Sequence, residues 1–244
     1  MGTLWWPFVR FSALLWSMPV FDNPAVTPRS RILVSMMLAF LVAPQLALAP
    51  AIDLFSLDAA ILTFEQIIFG VMMGLSLRIL FEVMAMIGLI LSMQMGLSMA
   101  LVMDPGSGNQ VALLGQLFWI MCALLFFAAD GHLITLQVMV ESFHSFPIGR
   151  SIYEFDIQAI IMLFAWMFSS ALLLSLPGIV AMLLVNLTFG VASRAAPSLN
   201  IFVLGFPMSL LMGFFCVFMT LEYTGSAFSR LTYHVLTTFA QAMR

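Results

Sequence analysis

From residue 59 to residue 102 the chain carries only three charged side chains, Glu65, Arg78 and Glu82. As one helix rising 1.5 Å per residue this stretch would be about 65 Å long, roughly twice the thickness of a bilayer core. It must therefore bend back, tilt or leave the bilayer. Residues 4–20, 32–51, 111–129, 157–191 and 201–221 form further apolar windows, and about 20 such residues are enough for one helical crossing. Of the 244 residues 63% are apolar and 8% charged, against roughly half and about a quarter in a soluble domain. Water is not the main solvent of this chain. In lipid each backbone N–H and C=O must be satisfied internally, which favours helices for runs of this length. The expected fold class is all-α, a polytopic membrane-type protein of broken helices and helical hairpins.

The breaks are set by proline and glycine. Pro177-Gly178 falls in the middle of 157–191 and predicts a hairpin or a sharp kink. Gly205-Phe206-Pro207 predicts that the first turns of 201–221 separate from the main helix, and Pro197 marks the connection before it. Residues 132–143 are more polar and end at Phe146-Pro147-Ile148-Gly149, which predicts a short interfacial helix and loop. Phe228, Leu231, Val235, Phe239 and Ala242 recur at three or four residues, so 222–244 is expected to be an amphipathic C-terminal helix. No shift of composition marks a domain boundary, and 1–244 is read as a single domain. Arg29 and Arg31 argue for a cytoplasmic loop before the second run, but Arg150, Arg194 and Arg230 dilute that bias.

Several functions are excluded by what the chain lacks. All eight basic residues are arginine, which removes a Walker-type phosphate loop and a Schiff-base lysine. A net charge of -3 with scattered arginines offers no stripe for nucleic acid. Cys122 and Cys216 lie far apart in apolar runs, without the spacing of a metal site. Gly74-Leu75-Ser76 and Gly96-Leu97-Ser98 match the Gly-x-Ser of intramembrane serine proteases, but His132, His144 and His234 sit in the polar region or tail rather than on a facing apolar helix. The expectation is no enzyme, no metal and no cofactor.

Other features point to packing and gating. Gly88, Ser92, Gly96 and Ala100 recur at every fourth residue, a ridge on which another backbone can approach closely. Gly70 with Gly74, and Gly205, Ser209 and Gly213, repeat the pattern. Met95, Met99 and Met103 follow one another on one face. A thioether is adaptable enough to line a constriction that seals and yields. They lead into Asp104-Pro105-Gly106-Ser107-Gly108-Asn109-Gln110, a turn-rich loop between two very apolar runs. Such a loop sits at membrane depth only in a water-filled or protein-lined cavity, and a plug is the natural reading. Arg10, Glu65, Arg78, Glu82, Asp130, Arg194 and Glu222 border or interrupt apolar runs, where an unpaired charge costs about 2.5 to 3.5 kcal/mol on insertion scales. Arg78 and Glu82 are spaced to pair on one helix face. Glu65 and Arg194 have no local partner, which leaves an ion pathway or an intersubunit pair open.

The segment from Leu199 to Pro207, with Asn186 to Gly190 and Arg194-Ala195-Ala196-Pro197 before it, closely resembles the signature of the FliR family of flagellar type III secretion. The resemblance continues in Gly88-Leu89-Ile90, in Gln94 to Ser98, in Asp104-Pro105, in Gly131-His132-Leu133 and in Phe143 to Gly149, and so covers essentially the whole chain in order. It implies a subunit of a helical, cone-like export gate, related also to the SctT proteins of injectisomes. The implied partners are FliP, FliQ and FlhB, with FlhA nearby, together with lipid and unfolded flagellar export substrates. The implied place is the bacterial inner membrane at the flagellar basal body, with part of the assembly on the periplasmic side. The family's pore plug maps onto Met103 to Gln110, beside a methionine ring supplied by FliP, with Met95 and Met99 adjacent. Pro177, Gly178, Pro197 and Pro207 would be the hinges of the cone. The rival reading is a stand-alone secondary transporter or channel with Glu65, Arg78 and Glu82 as a midplane ion site.

Overall fold

The computed structural model describes residues 2–22, 26–45, 56–97, 113–195 and 201–243. They are helical throughout apart from turns, with no strand among the described residues. The helices are α1 (Gly2–Ser17), α2 (Pro28–Val42), α3 (Leu57–Gln94), α4 (Leu113–Ala128), α5 (Gly131–Ser145), α6 (Ile157–Ala195) and α7 (Ile201–Ala242). Short 3-10 turns lie at Ala43–Gln45 and Ile152–Glu154. Local chemistry explains several ends. Thr27 caps α2, its hydroxyl accepting from the Ser30 N–H at 3.4 Å, with Pro28 opening the helix where no donor is needed. The Asp156 carboxylate accepts from the Ala159 N–H at 3.1 Å at the start of α6. Between α4 and α5 the chain turns through Asp130 in the left-handed region, at φ 55°.

Three helices, α3, α6 and α7, are long and apolar enough to cross a membrane, and α4 with α5 adds a fourth if the pair is one broken span. The protein is a polytopic, all-α membrane protein. Within the most apolar window, 61% of α3 is buried, against 22% for α6 and 17% for α7. The outward faces of α6 and α7 present Phe168, Leu172, Leu183, Leu187, Phe214 and Phe218, surface that suits lipid or other subunits rather than water.

The breaks differ from the sequence expectation at two places. There is no hairpin at Pro177-Gly178, because α6 runs unbroken through it. Nor do the first turns of α7 separate at Gly205-Phe206-Pro207, since α7 is also one helix. A proline inside a helix removes one backbone bond and costs roughly 3 kcal/mol. In lipid, unwinding more turns would strand further N–H and C=O groups, so continuing the helix is the cheaper solution. Pro197 lies outside the described residues.

The chain forms two compact units. The first takes Met1–Leu80, Phe126–Ala165 and Leu231–Arg244, the second Phe81–Leu125 and Trp166–Arg230. In the first unit, α1 lies in a groove of α3 made by Gly70 and Gly74. A Cβ on Gly70 would sit 2.7 Å from the Ala13 Cβ and against the Arg10 carbonyl; one on Gly74 would run into Ser17. The end of α7 completes this unit. Phe239 is fully buried, its ring centroid 5.4 Å from that of Phe69 and 5.8 Å from that of Phe155. Leu231, Val235 and Ala242 of the same helix end are buried as well. Arg150 ties the corner together, donating from Nη1 to the Ser145 carbonyl at 3.0 Å and pairing through Nε with Glu154 at 2.6 Å.

At the centre of the first unit Arg10 is completely buried. Its Nε donates to Gln66 Oε1 at 2.7 Å, Nη1 to Ser142 Oγ at 3.0 Å and Nη2 to the Phe146 carbonyl at 3.3 Å. Its guanidinium carbon lies 4.4 Å from the Phe69 ring centroid and 4.3 Å from that of Phe143. Three neutral acceptors and two aromatic faces thus take the place of a carboxylate. Two of the other charges also find partners that spacing did not show. Arg78 pairs with Asp22 at 3.5 Å instead of with Glu82, and Glu65 accepts from the Ile152 N–H at 3.4 Å.

Candidate functional site

In the second unit the end of α3 and the start of α4 flank residues 98–112. The loop expected to act as a plug, Met103, Asp104, Pro105, Gly106, Ser107, Gly108, Asn109 and Gln110, lies outside the described residues, as do Met99 and Ala100. Its two stems are described, and they pack on one another. At Gly88 a Cβ would meet the backbone of α4, 2.6 Å from the Leu114 carbonyl carbon and 2.7 Å from the Gly115 nitrogen. Phe81 and Trp119 add a ring contact at 5.6 Å between the same helices. The ridge of small residues therefore brings two backbones together at Gly88, with Ser92 buried beside it.

Gly96 has a different part from the rest of that ridge. The apolar run continues to residue 102, but α3 stops at Gln94. Gly96 adopts φ +75°, the Gly96 N–H donates to the Met93 carbonyl at 3.1 Å and the Leu97 N–H to the Ser92 carbonyl at 3.2 Å. This pair of bonds is the Schellman termination, which needs a left-handed residue after the helix. The nearest atoms to a Cβ there are on the Phe206 ring, at 3.9 Å, so conformation rather than close packing requires glycine. The signal was present in the sequence, because a glycine a few residues before a turn-rich loop is a stop as readily as a packing notch.

Met95 follows the last helical residue and is buried, its side chain against Gly213 of α7 with Sδ 2.6 Å from where a Cβ would be. Gly213 and buried Ser209 thus form a notch filled by a thioether, while Gly205 is half-buried on the same helix. Gly178 performs a similar task on α6, where a Cβ would lie 2.5 Å from Leu91 Cδ2. Of the positions singled out in the sequence, the structure gathers Gly88, Ser92, Met95, Gly96, Gly178, Ser209 and Gly213 into this unit. Chemistry has little to work with here. In the first unit, Ser76 Oγ donates to the Met72 carbonyl at 2.8 Å and is buried. Among the described residues, no group of three or more His, Cys, Asp and Glu side chains is placed to hold a metal.

Small-residue notches, buried stems and outward apolar helices define a class, a multi-helix membrane protein built for close helix packing. A family profile described as "Bacterial export proteins, family 1" matches residues 1–235. The chain belongs to that family. It is similar to the flagellar biosynthetic protein FliR of Pectobacterium carotovorum subsp. carotovorum, 36% identical over 209 residues that cover 85% of this chain and 80% of that protein. FliR of Escherichia coli (strain K12) is 34% identical over the same lengths. The surface presentation of antigens protein SpaR of Shigella flexneri is 27% identical over 214 residues, 86% of this chain and 82% of that protein.

Proposed function

We propose that this chain is the FliR-type subunit of the flagellar type III export gate. It assembles with FliP and FliQ, with FlhB and FlhA alongside, to form the pore through which unfolded flagellar proteins leave across the inner membrane. The observation that carries this reading is the match of residues 1–235 to a bacterial export family together with relatives named as flagellar biosynthetic proteins. The chain acts as one subunit over 1–244 at the basal body, with part of the assembly on the periplasmic side. Its apolar outer faces on α6 and α7 are where the partners and lipid sit.

Within that gate, Met103 to Gln110 plug the pore, with Met95 and Met99 next to the methionines of the constriction. The physical support is the pair of stems. Gly88 holds α4 against α3 and Gly96 ends α3 abruptly, so the helix ends on either side of residues 98–112 form a fixed base. What disfavours the transporter alternative is that Arg78 pairs with Asp22 and Glu65 accepts from the Ile152 N–H, so two of its three charged residues have partners within this chain. Replacing Met103 through Gln110 with a short Gly-Ser linker is expected to raise small-ion leak through the resting gate at least tenfold while flagellin export continues or falls modestly. Leak and export both unchanged would remove the plug assignment.

A further inference from the structure

Besides the loop stems, the second unit holds a cavity of about 490 Å³ between α3, α6 and α7. Its floor is buried, with Ile87, Cys216, Thr224 and Ala227. Its rim, including Leu173, Phe215 and Tyr223, is exposed. Along α7 the lining runs from Met212 to Arg230, about 27 Å of helix at 1.5 Å per residue. A groove of that length, open along its rim, accommodates an extended acyl chain, whose methylenes pack at ~4 Å contact distance.

The lining is graded. From Met212 to Met219 it is apolar apart from the thiol of Cys216, and the polar groups come after. The Thr220 and Thr224 hydroxyls donate to the Cys216 and Thr220 carbonyls, each at 2.8 Å, so they leave methyl groups for the cavity. Tyr223 and then Arg230 stand at the far end, and Arg230 is the only charged residue in the lining. Among the described residues Arg230 makes no ion pair, and Glu82 and Glu222 are not part of the lining. An apolar slot leading to a tyrosine and an arginine that makes no ion pair among the described residues, on a helix apolar enough to span a membrane, has the layout of a lipid: chain, interface, anionic headgroup.

We infer that this cavity is a binding site for one acyl chain of an anionic phospholipid, whose phosphate is held by Arg230 with Tyr223 beside it. The site is independent of the plug reading. The lipid would fill the seam between α3, α6 and α7 that the described side chains leave open.

The test uses the full chain in its native membrane assembly, with phosphatidylglycerol carrying a photoactivatable diazirine midway along one acyl chain. Adducts are expected on residues 212–227 and 173–181, with phosphatidylcholine bearing the same chain labelling them about fivefold less, as one arginine at an anionic headgroup predicts. R230Q should lower the phosphatidylglycerol signal to the phosphatidylcholine level without changing the amount of folded protein, since that side chain is exposed. Equal labelling by the two lipids, or adducts as strong on the outward residues Leu211, Phe214 and Phe218, would overturn the inference. So would a photoreactive residue at position 220 that captures another protein chain instead of lipid, because the groove would then belong to a partner helix. Loss of lipid labelling with an intact plug phenotype would leave the export reading standing alone.

Discussion

Replacing Arg10 with methionine is expected to cut the amount of chain that accumulates in membranes by more than tenfold. The side chain is completely buried and donates to Gln66, Ser142 and the Phe146 carbonyl while lying between the rings of Phe69 and Phe143. Methionine fills part of the space but leaves three buried acceptors without their donor. Each such orphan costs about 1 to 3 kcal/mol, so the sum reaches a large fraction of the 5–15 kcal/mol that holds a typical domain folded. Lysine should restore only part of the loss, because an ammonium cannot present a planar fork between two ring faces. The combination R10M, Q66L and S142A should recover more than lysine does, since removing both sides of a buried polar contact is far cheaper than removing one. Quantitative immunoblotting of membranes reads all of these, and normal levels of R10M alone would contradict the assigned role.

Valine at Gly74 should be nearly as damaging, and alanine at Gly213 almost silent. At Gly74 the new side chain would press on Ser17, and α1 could make room only by moving away from α3, taking Arg10 with it. Overpacking against a rigid neighbour costs about 1 to 3 kcal/mol, and the displaced arginine adds to it. At Gly213 the obstacle is the unbranched side chain of Met95 from Cγ outward, which can turn to another rotamer at a cost of about 1 kcal/mol. The thermal midpoint of the purified protein in mild detergent separates the two cases. Equal losses at the two positions would mean that the α1 groove does not bear on stability as described.

The features legible in the sequence were those with a period. The small-residue notches at Gly70, Gly74, Gly88 and Gly213 and the buried stripe ending at Phe239 follow from spacing on a helix, and they are where the structure packs tightest. Partners brought from far along the chain were not legible. Nothing near Arg10 announces Ser142 or Phe146, and Arg78 beside Glu82 gives no hint of Asp22. At Pro177 the hairpin, one of the two expected outcomes, does not form, and at Pro207 the first turns do not separate. In water a proline often ends a helix because solvent satisfies the freed groups, whereas a lipid-facing chain keeps the helix going. Gly96 carried two meanings, notch and stop, and the backbone bonds of Met93 and Ser92 decide between them. The proposed plug itself rests on the resemblance and on the stems that flank it.

The central claim is that this chain works as one subunit of a gate rather than alone. The direct measurement is the native mass of the assembly purified through a tag on this chain. A species far above 27.0 kDa is expected, in which other helical membrane proteins, FliP and FliQ among them, accompany the tagged chain. A folded species made of this chain alone, moving a solute across liposomes without partners, would contradict it.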